Sequence, residues 1–253
     1  MSGILGFNEG FSNSLSSDGF GSGFEIPGQR VVTSGLVMHF DVAAGSYPGS
    51  GTTLTDLSGN GYNATLFNSP TYSTSDSGVL RYAKSSYQYA TAPNPGDINR
   101  WTLETWVKFN EATVAGTNAI ITGQYDLVSK LNFVLGTADS LSNTIKTGYF
   151  NGAWRYTSSG QAVSIGSWYH FVGTYDGSTI SLYTNNSLTS TLSYSGTAAS
   201  GGEVRIARRW DSVNNDSNNF ISADIPVVRI YNRALDTTEI SNNYNAHRNR
   251  YGL

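Results

Sequence analysis

The sequence predicts an all-β protein, a two-sheet antiparallel sandwich with an extended N-terminal arm and one short C-terminal helix. Only 13% of its 253 residues are charged, against a usual share of about 25%, which excludes long and coiled-coil helices. Glycine and tyrosine are abundant, at 28 and 16 residues, which suits turns and strands respectively. Short apolar runs recur between turn signals at roughly 8–12-residue spacing, which is typical of a β-sandwich.

Composition also excludes several classes of function. The formal net charge is −3 and the pI is about 5.5, which argues against a nucleic-acid partner because phosphate affinity comes mainly from clustered Lys and Arg. The chain has no cysteine, so it has neither a disulfide framework nor a thiolate metal site. No run approaches the ~18 apolar residues of a membrane-spanning helix, and the N-terminus lacks the pattern of a secretory signal. We therefore expect no membrane association.

Residues 1–32 differ from the rest of the chain and form the predicted arm. Its phenylalanines stand in a Gly-, Ser- and Asn-rich background that has the period of neither a strand nor a helix. A flexible tail is one interpretation. Because each exposed Phe can bury about 150–250 Å², the other interpretation is a segment that docks on a partner chain. The docking residues are then Phe7, Phe11, Phe20 and Phe24.

Residues 33–253 form the predicted sandwich. Within it, residues 35–41 (GLVMHFD) and 101–109 (WTLETWVKF) alternate in the manner of strands. Asn185 and Asn186 indicate a tight turn between two further strands, because asparagine tolerates the left-handed region.

A hairpin is predicted at Asn151-Gly152, because both positions tolerate the positive φ of a type I′ turn. This register pairs Phe150 with Ala153 and puts three aromatic residues on one face, Tyr149, Trp154 and Tyr156. The opposite face carries Lys146 and Arg155, which prefer water. The aromatic face is therefore expected in the core, and an exposed sugar-binding platform is the alternative.

The predicted helix lies near residues 237–246. Asp236 takes the N-cap position, and Glu239 three residues later completes a variant of the capping box. Ile240 and Tyr244 are four residues apart and are expected to form the buried face.

Five segments of the chain, in this order, carry a family resemblance: GLVMHFD, LTDLSGNGYNATL, WTLETWVKF, WYHFVGTYDGSTISLYTNN and VVRIYNRALDTTEI. Over about residues 34–244 the chain resembles a laminin-G-like domain of the concanavalin A-like lectin/glucanase superfamily. The resemblance implies a concanavalin A-like jelly roll. The arm and the ending IPVVRIYNRAL…NAHRNRYGL are also similar to stand-alone versions among structural proteins of tailed bacteriophages.

The family resemblance also implies a candidate calcium site, since some members hold calcium through loop carboxylates and carbonyls. The residues that could do so here are Asp56, Asn60 and Asp224. Two acids of the family pattern are missing, one from the stretch LRYAKSSYQYA and one at Pro226-Val227. The alternative for Asp56 is a turn residue that caps backbone amides. No other cofactor is expected.

Catalysis is not expected. Glycoside hydrolysis needs two carboxylates at a fixed separation, and none of the six glutamates begins the Glu-x-Asp-x-x-Glu strand motif of the superfamily's glucanases. There is no cysteine and no Gly-x-Ser-x-Gly elbow for nucleophilic catalysis. His39 and His170 lie inside predicted strands and are expected to be structural. His247, near the helix end, is expected to carry partial charge because a cation suits that end of the dipole.

Sugar binding needs an aromatic face together with amide or carboxylate groups for the hydroxyls. One loop offers both, preceded by Arg208 and Arg209, and a solvated surface loop is the alternative. The candidate carbohydrate-binding residues are Trp210, Asp211, Asn214, Asn215 and Asp216, with Arg155 added from the hairpin.

Together with the resemblance to structural proteins of tailed bacteriophages, the sequence predicts a non-catalytic structural or accessory protein of a phage particle. The arm would anchor it to a capsid or tail protein, after assembly in the host cytoplasm, and the sandwich would project from the virion surface, where it could touch glycans. The alternative is a carbohydrate-binding adhesion module whose main function is sugar binding, and a glycan hydrolase is disfavoured. Homo-oligomerisation is left open.

Overall fold

The computed structural model describes residues 30–96, 98–113, 119–126, 130–137, 143–151, 153–197, 202–209 and 219–253. Two sets of predicted site residues lie outside these ranges. They are the arm residues Phe7, Phe11, Phe20 and Phe24, and the loop residues Trp210, Asp211, Asn214, Asn215 and Asp216.

The described residues form two antiparallel sheets packed face to face, which confirms the predicted sandwich. Sheet A has eight strands: β1 (Leu36–Asp41), β4 (Thr71–Ser73), β5 (Val79–Tyr82), β7 (Trp101–Phe109), β13 (Trp168–Tyr175), β14 (Thr179–Thr184), β15 (Ser187–Ser193) and β17 (Ala223–Tyr231). Sheet B has nine: β2 (Thr53–Leu54), β3 (Ala64–Phe67), β6 (Tyr89–Ala92), β8 (Ala119–Asp126), β9 (Lys130–Thr137), β10 (Thr144–Phe150), β11 (Trp154–Tyr156), β12 (Gln161–Ala162) and β16 (Val204–Ile206).

Strand order interleaves distant parts of the chain. Sheet A runs β15-β14-β13-β7-β17-β5-β4, and β1 pairs with the second half of β17. Sheet B runs β11-β10-β9-β8-β16-β6-β3-β2, and β12 pairs with β10. Because β1 pairs with β17, which lies beside β7 at the centre of sheet A, the first and last strands of the sandwich meet there.

The core lies between the inner faces of the two sheets. In β7, Trp101, Leu103 and Phe109 point into it, as the alternation predicted. The outward residues of the same strand are also buried, since Glu104 and Trp106 are both 0% exposed. A further layer therefore covers the outer face of sheet A.

That layer is the C-terminal segment, which begins with helix α1 (Thr237–His247). The predicted capping box is confirmed, because the Asp236 side chain accepts from the Glu239 amide and the Glu239 side chain accepts from the Asp236 amide. Tyr244 and Tyr251 pack on the Trp106 ring at 5.7 and 4.5 Å between centroids. No helix in the described part of the chain is long and apolar enough to cross a membrane.

The hairpin between β10 and β11 differs from the prediction by one residue. Phe150 pairs with Trp154, not with Ala153, so the connection has three residues instead of two. A shift of one residue moves every side chain of a strand to the other face. Tyr149 is therefore in the core at 0% exposure, whereas Trp154 lies on the opposite face and is 36% exposed.

The turn between β14 and β15 is confirmed. Asn185 and Asn186 have φ values of 49° and 67°, and Thr184 pairs with Ser187 across them. Two consecutive left-handed residues give the type I′ geometry that joins adjacent strands with their natural twist.

The sheets approach closely where Gly173 of β13 faces Thr147 of β10, because a Cβ at Gly173 would overlap Thr147 Oγ1. We expect Gly173→Ala to lower the free energy of unfolding by about 1–3 kcal/mol through overpacking. Urea unfolding of Gly173→Ala, of Thr147→Ala and of the double variant checks this. The double variant should lose less than the sum of the two single changes, and strict additivity would contradict the contact.

Candidate functional site

A cluster of aromatic side chains lies on the outer side of sheet B, and an arginine side chain packs against its rings. We call it the Arg208 platform, and its members are Phe67, Tyr87, Tyr89, Arg208 and Phe220. The Phe67 and Tyr89 rings stack at 4.6 Å with an interplanar angle of 7°. The Arg208 guanidinium lies 4.5 Å from the Tyr89 centroid and 5.2 Å from that of Phe220.

Strand alternation places the two stacked rings outward. Leu66 and Ala90 pair across β3 and β6 and point into the core, so the next pair, Phe67 and Tyr89, points away from it. Arg208 follows β16, the other neighbour of β6, and forms a bridge with Phe220. Three segments distant in sequence thus contribute to one surface.

The backbone around the platform is strained. Four non-glycine residues beside it have positive φ, at 59° for Asn68, 54° for Ser69, 54° for Tyr87 and 64° for Ala207. Such residues cost about 1–3 kcal/mol each and cluster at functional sites, where surrounding contacts enforce the conformation.

The contacts that enforce it come from two amide side chains. Gln88, only 8% exposed, donates through Nε2 to the carbonyls of Asn68 at 3.0 Å and Ser69 at 2.8 Å. Its Oε1 accepts from the Ala83 amide at 2.9 Å. Asn68 Nδ2 in turn donates to the Tyr87 carbonyl at 2.6 Å. These hydrogen bonds fasten the residues after β3 to the residues before β6, on the two sides of the Phe67–Tyr89 stack.

Phe67 is the most accessible ring of the platform, at 37% exposure. Burial lowers the pKa of Arg208, but an arginine stays charged at every physiological pH. The surface thus combines an apolar ring with a cation that has several N–H donors. This pairing suits a sugar, whose ring presents a C–H face and whose hydroxyls accept hydrogen bonds.

The predicted sugar-binding loop starts from this platform. The Arg209 amide donates to the Asn219 carbonyl at 2.7 Å, immediately before and after residues 210–218. The loop residues themselves lie outside the described ranges. Arg155 is not brought close to the loop base, because β11 lies four strand positions from β16 in sheet B, about 19 Å. Its guanidinium packs instead over Tyr194, at 4.3 Å.

The other predicted platform is divided between the two faces of the sheet. Tyr149 is in the core, where its hydroxyl lies 3.3 Å from that of Tyr175. Trp154 and Tyr156 stack on the other face at 4.9 Å. The expectation of a core position is therefore right for Tyr149 and wrong for Trp154 and Tyr156.

The three residues named for calcium do not converge. Asp56 accepts from the amides of His39, Ser58 and Tyr62 at 2.9–3.0 Å, so it acts as the predicted turn cap. Asn60 lies in the same loop, with its Nδ2 directed at the Val37 carbonyl at 3.0 Å.

Asp224 lies elsewhere, on β17, where it accepts from Arg81 at 2.7 and 2.9 Å and from Asn110 at 2.8 Å. Within the described ranges no group of three or more His, Cys, Asp or Glu side chains could hold a metal ion. Calcium binding stays a prediction that these contacts do not support.

The carboxyl groups of the described residues whose pKa is shifted are held in ion pairs or hydrogen bonds. Burial alone would raise the pKa of Glu104, but the Arg229 guanidinium and the His170 hydrogen bond lower it to about 2. Each carboxyl group of the described residues with a shifted pKa is shifted downward: Asp41, Glu104, Glu111, Asp176, Asp224 and Glu239. A glycosidase needs a carboxylic acid with a raised pKa to protonate the leaving group, and these groups do the opposite.

The fold is that of a lectin-like β-sandwich domain. A laminin-G model of the concanavalin A-like lectin/glucanases superfamily matches residues 84–241, more than half of the chain. The protein belongs to that family. No match was found among curated protein sequences.

Solved structures share the fold at low sequence identity. Domain 4 of AbnA, an extracellular arabinanase from Geobacillus stearothermophilus in complex with arabinotriose, has a TM-score of 0.65 at 14% identity, covering 83% of this chain and 98% of that one. The binding domain of Paraclostridial Mosquitocidal Protein 1 has a TM-score of 0.64 at 15% identity, over 86% and 53% of the two chains.

The binding domain of botulinum neurotoxin DC, in complex with SialylT, has a TM-score of 0.62 at 10% identity, over 85% and 52%. The chain thus spans about half the length of the two toxin binding domains. At these identities the likeness establishes the fold.

We expect Gln88→Met to lower the free energy of unfolding by about 1–3 kcal/mol. Methionine fills a similar volume but leaves the carbonyls of Asn68 and Ser69 without their donor, and unsatisfied buried groups cost about that much. Urea unfolding measures the change. Gln161→Met, on the short strand β12, is the matched control and should stay within about 0.5 kcal/mol of wild type. Equal stability of all three proteins would contradict the role given to Gln88.

Proposed function

We propose that the protein is a non-catalytic carbohydrate-binding domain that holds a sugar on the Arg208 platform. The observation that carries this is the exposed Phe67 ring, stacked on Tyr89 and joined to the Arg208 guanidinium, on a backbone locked by Gln88. A preformed site loses little entropy on binding, which matters for sugars because each contact is weak.

The family supports this proposal, because its name joins lectins with glucanases. Two of the similar structures were solved with saccharide ligands, arabinotriose and SialylT. One of the two is a domain of an arabinanase, so similar folds also occur inside glycosidases. We propose binding without hydrolysis here because each carboxyl group with a shifted pKa is fixed in an ion pair or hydrogen bonds that lower its pKa.

We expect wild-type protein to bind oligosaccharides on a glycan array. Phe67→Ala and Arg208→Gln should each weaken binding of the best glycan about 5- to 10-fold, the equivalent of about 1 kcal/mol for a lost stacking or cation contact. Tyr72→Ala is the matched control, since Tyr72 is also 37% exposed but lies on β4 of sheet A. Calorimetric titration of the array-selected glycan checks the affinities.

Two outcomes would contradict the platform as the binding site. One is wild-type protein that binds no glycan. The other is Tyr72→Ala losing as much affinity as Phe67→Ala. Release of reducing ends from a bound glycan would contradict the non-catalytic part of the proposal.

We also propose that the chain is carried on a virion surface, with the arm inserted into a capsid or tail protein. The support is the sequence of the arm, whose phenylalanines recur at gaps of four, nine and four residues. Four buried Phe side chains give about 6–12 kcal/mol, less than the cost of ordering the arm at ~1–2 kcal/mol per residue. The arm would therefore also need main-chain hydrogen bonds to a strand edge of its partner.

Phe11→Ala with Phe20→Ala is expected to lower the copy number of the protein on purified particles, because half of the apolar docking surface is lost. Quantitative mass spectrometry of particles measures it, and glycan binding by the isolated variant is the control that should not change. Wild-type copy number would show that the arm does not anchor the chain.

A further inference from the structure

A buried cluster of charged and polar side chains lies between the outer face of sheet A and the C-terminal segment. We call it the terminal clasp. Its members come from β1, β7, β13, β17 and the C-terminal segment: Asp41, Glu104, His170, Arg229, Asn243, His247 and Arg250. Glu104, His170, Arg229 and Asn243 are each 0% exposed.

The clasp holds both ends of the sandwich. Asn243 of α1 donates through Nδ2 to Glu104 at 2.6 Å and to the Tyr231 hydroxyl at 2.9 Å. Its Oδ1 accepts from the Val32 amide at 2.7 Å, and the Val32 carbonyl accepts from the Tyr231 hydroxyl at 3.1 Å. The segment that leads out of the arm is therefore fastened to the same residue that fastens the C-terminal helix.

The hydrogen bonds require His247 to be neutral. Its Nε2 contacts the Arg229 guanidinium, which can only donate, so Nε2 is the unprotonated nitrogen. Its Nδ1 lies 2.9 Å from the Ala246 carbonyl and carries the proton. The sequence-based expectation of partial positive charge on His247 is therefore wrong, because the ring packs against a cation in a buried site and does not face solvent at the helix end.

His170 also belongs to the clasp. Its Nε2 lies 3.0 Å from the Glu104 carboxylate and donates to it, and its buried Nδ1 has no hydrogen-bond partner among the described residues.

Charge in the clasp is balanced only while the His247 ring stays neutral. Arg229 contacts Glu104 at 2.8 Å, and Arg250 contacts Asp41 at 3.0 Å. Two cations thus face two anions. A proton added to His247 replaces the acceptor of Arg229 with a second cation, in a site too buried for water to screen the repulsion. Asp41 Oδ2 lies 3.6 Å from Nε2 but is already paired with Arg250.

We propose that the terminal clasp is an acid-sensitive latch, which releases the C-terminal helix and the root of the N-terminal arm together before the sandwich unfolds. Arg229 and Asn243 are the shared contacts that make the release concerted. Opening the latch frees the base of the arm, so acid controls the geometry of any complex that the arm makes.

The lowered pKa of His247 sets the direction in which the opening of the terminal clasp depends on pH. Burial, followed by the Arg229 charge, lowers the pKa of His247 from 6.5 to about 3. The open state then binds the proton more tightly than the closed one, so closure is fully favoured above pH 6.5 and is lost as the pH falls below 6.5. For one such group the opening equilibrium rises about tenfold per pH unit between pH 6.5 and the folded pKa.

A second histidine on the same face of sheet A acts in the same direction. His39 of β1 has its pKa lowered to about 4, by burial first and then by Arg229. Glu104 on β7, with a pKa of about 2, stays ionised until the histidine step is nearly complete. The remaining charged or titratable neighbours are Asp41, His170, Arg229, Tyr231, Arg250 and Tyr251.

Amide hydrogen exchange of the full chain at pH 7 and pH 4.5 tests the latch, with protection factors corrected for the intrinsic pH dependence of exchange. We expect protection in α1 and at Val32 to fall at least about a hundredfold at pH 4.5, while β7 and β13 stay protected. His247→Gln keeps an acceptor for Arg229 but cannot be protonated there, and it should restore about a hundredfold of protection at pH 4.5.

Glu239→Gln is the matched control, because it weakens the helix cap without adding or removing a clasp group. It should lower protection of α1 equally at both pH values. The proposal is wrong if acid lowers protection of β7, β13 and α1 together, if α1 stays fully protected at pH 4.5, or if His247→Gln leaves the acid response unchanged.

Discussion

The buried ion pair between Glu104 and Arg229 is the interaction on which the rest of the sandwich depends. It joins the two central strands of sheet A on the face that points away from the core, 2.8 Å apart and without exposure. Removing one partner of such a pair costs about 3–5 kcal/mol, although replacing both by apolar residues is often neutral. The pair therefore determines where the C-terminal segment docks more than it adds stability. Glu104 accepts a hydrogen bond from Asn243, and Arg229 contacts His247.

The outer faces of sheet A and sheet B differ in what covers them. The C-terminal segment packs on sheet A and closes it with aromatic rings on Trp106 and polar contacts on Glu104. Sheet B carries the Arg208 platform, where strained residues are enforced by Gln88. Charge and hydrogen bonding thus stabilise the outer face of sheet A as structure, while the outer face of sheet B carries the aromatic surface on which we propose that a sugar binds.

Local signals in the sequence predicted the local features correctly. The capping box at Asp236 and Glu239 and the turn at Asn185-Asn186 depend on residues adjacent in the chain, and both are confirmed. The hairpin at Asn151 was wrong by one residue, because a turn signal gives the position of a turn but not its length, and one residue reverses the faces of β11.

Features that depend on distant residues were not predictable. Glu104 alternates with buried residues in β7 and so resembled a solvent-facing position, since nothing nearby in sequence reveals Arg229 or Asn243. The platform was missed for the same reason, because Phe67 and Tyr89 become neighbours only through the pairing of β3 with β6. The sequence carried only a weak signal for this surface. Phe67 and Tyr89 are each a large aromatic residue in a strand, next to an aliphatic or small residue of the core.

The most direct test of the account is to map the bound sugar on the protein by NMR. Chemical-shift changes during titration of uniformly ¹⁵N-labelled protein with an array-selected glycan report the contact surface residue by residue. We predict that the largest changes fall at Phe67, Asn68, Tyr89 and Arg208, with small changes on sheet A. Largest changes on sheet A, or around Asp56, with none at the platform would contradict the account.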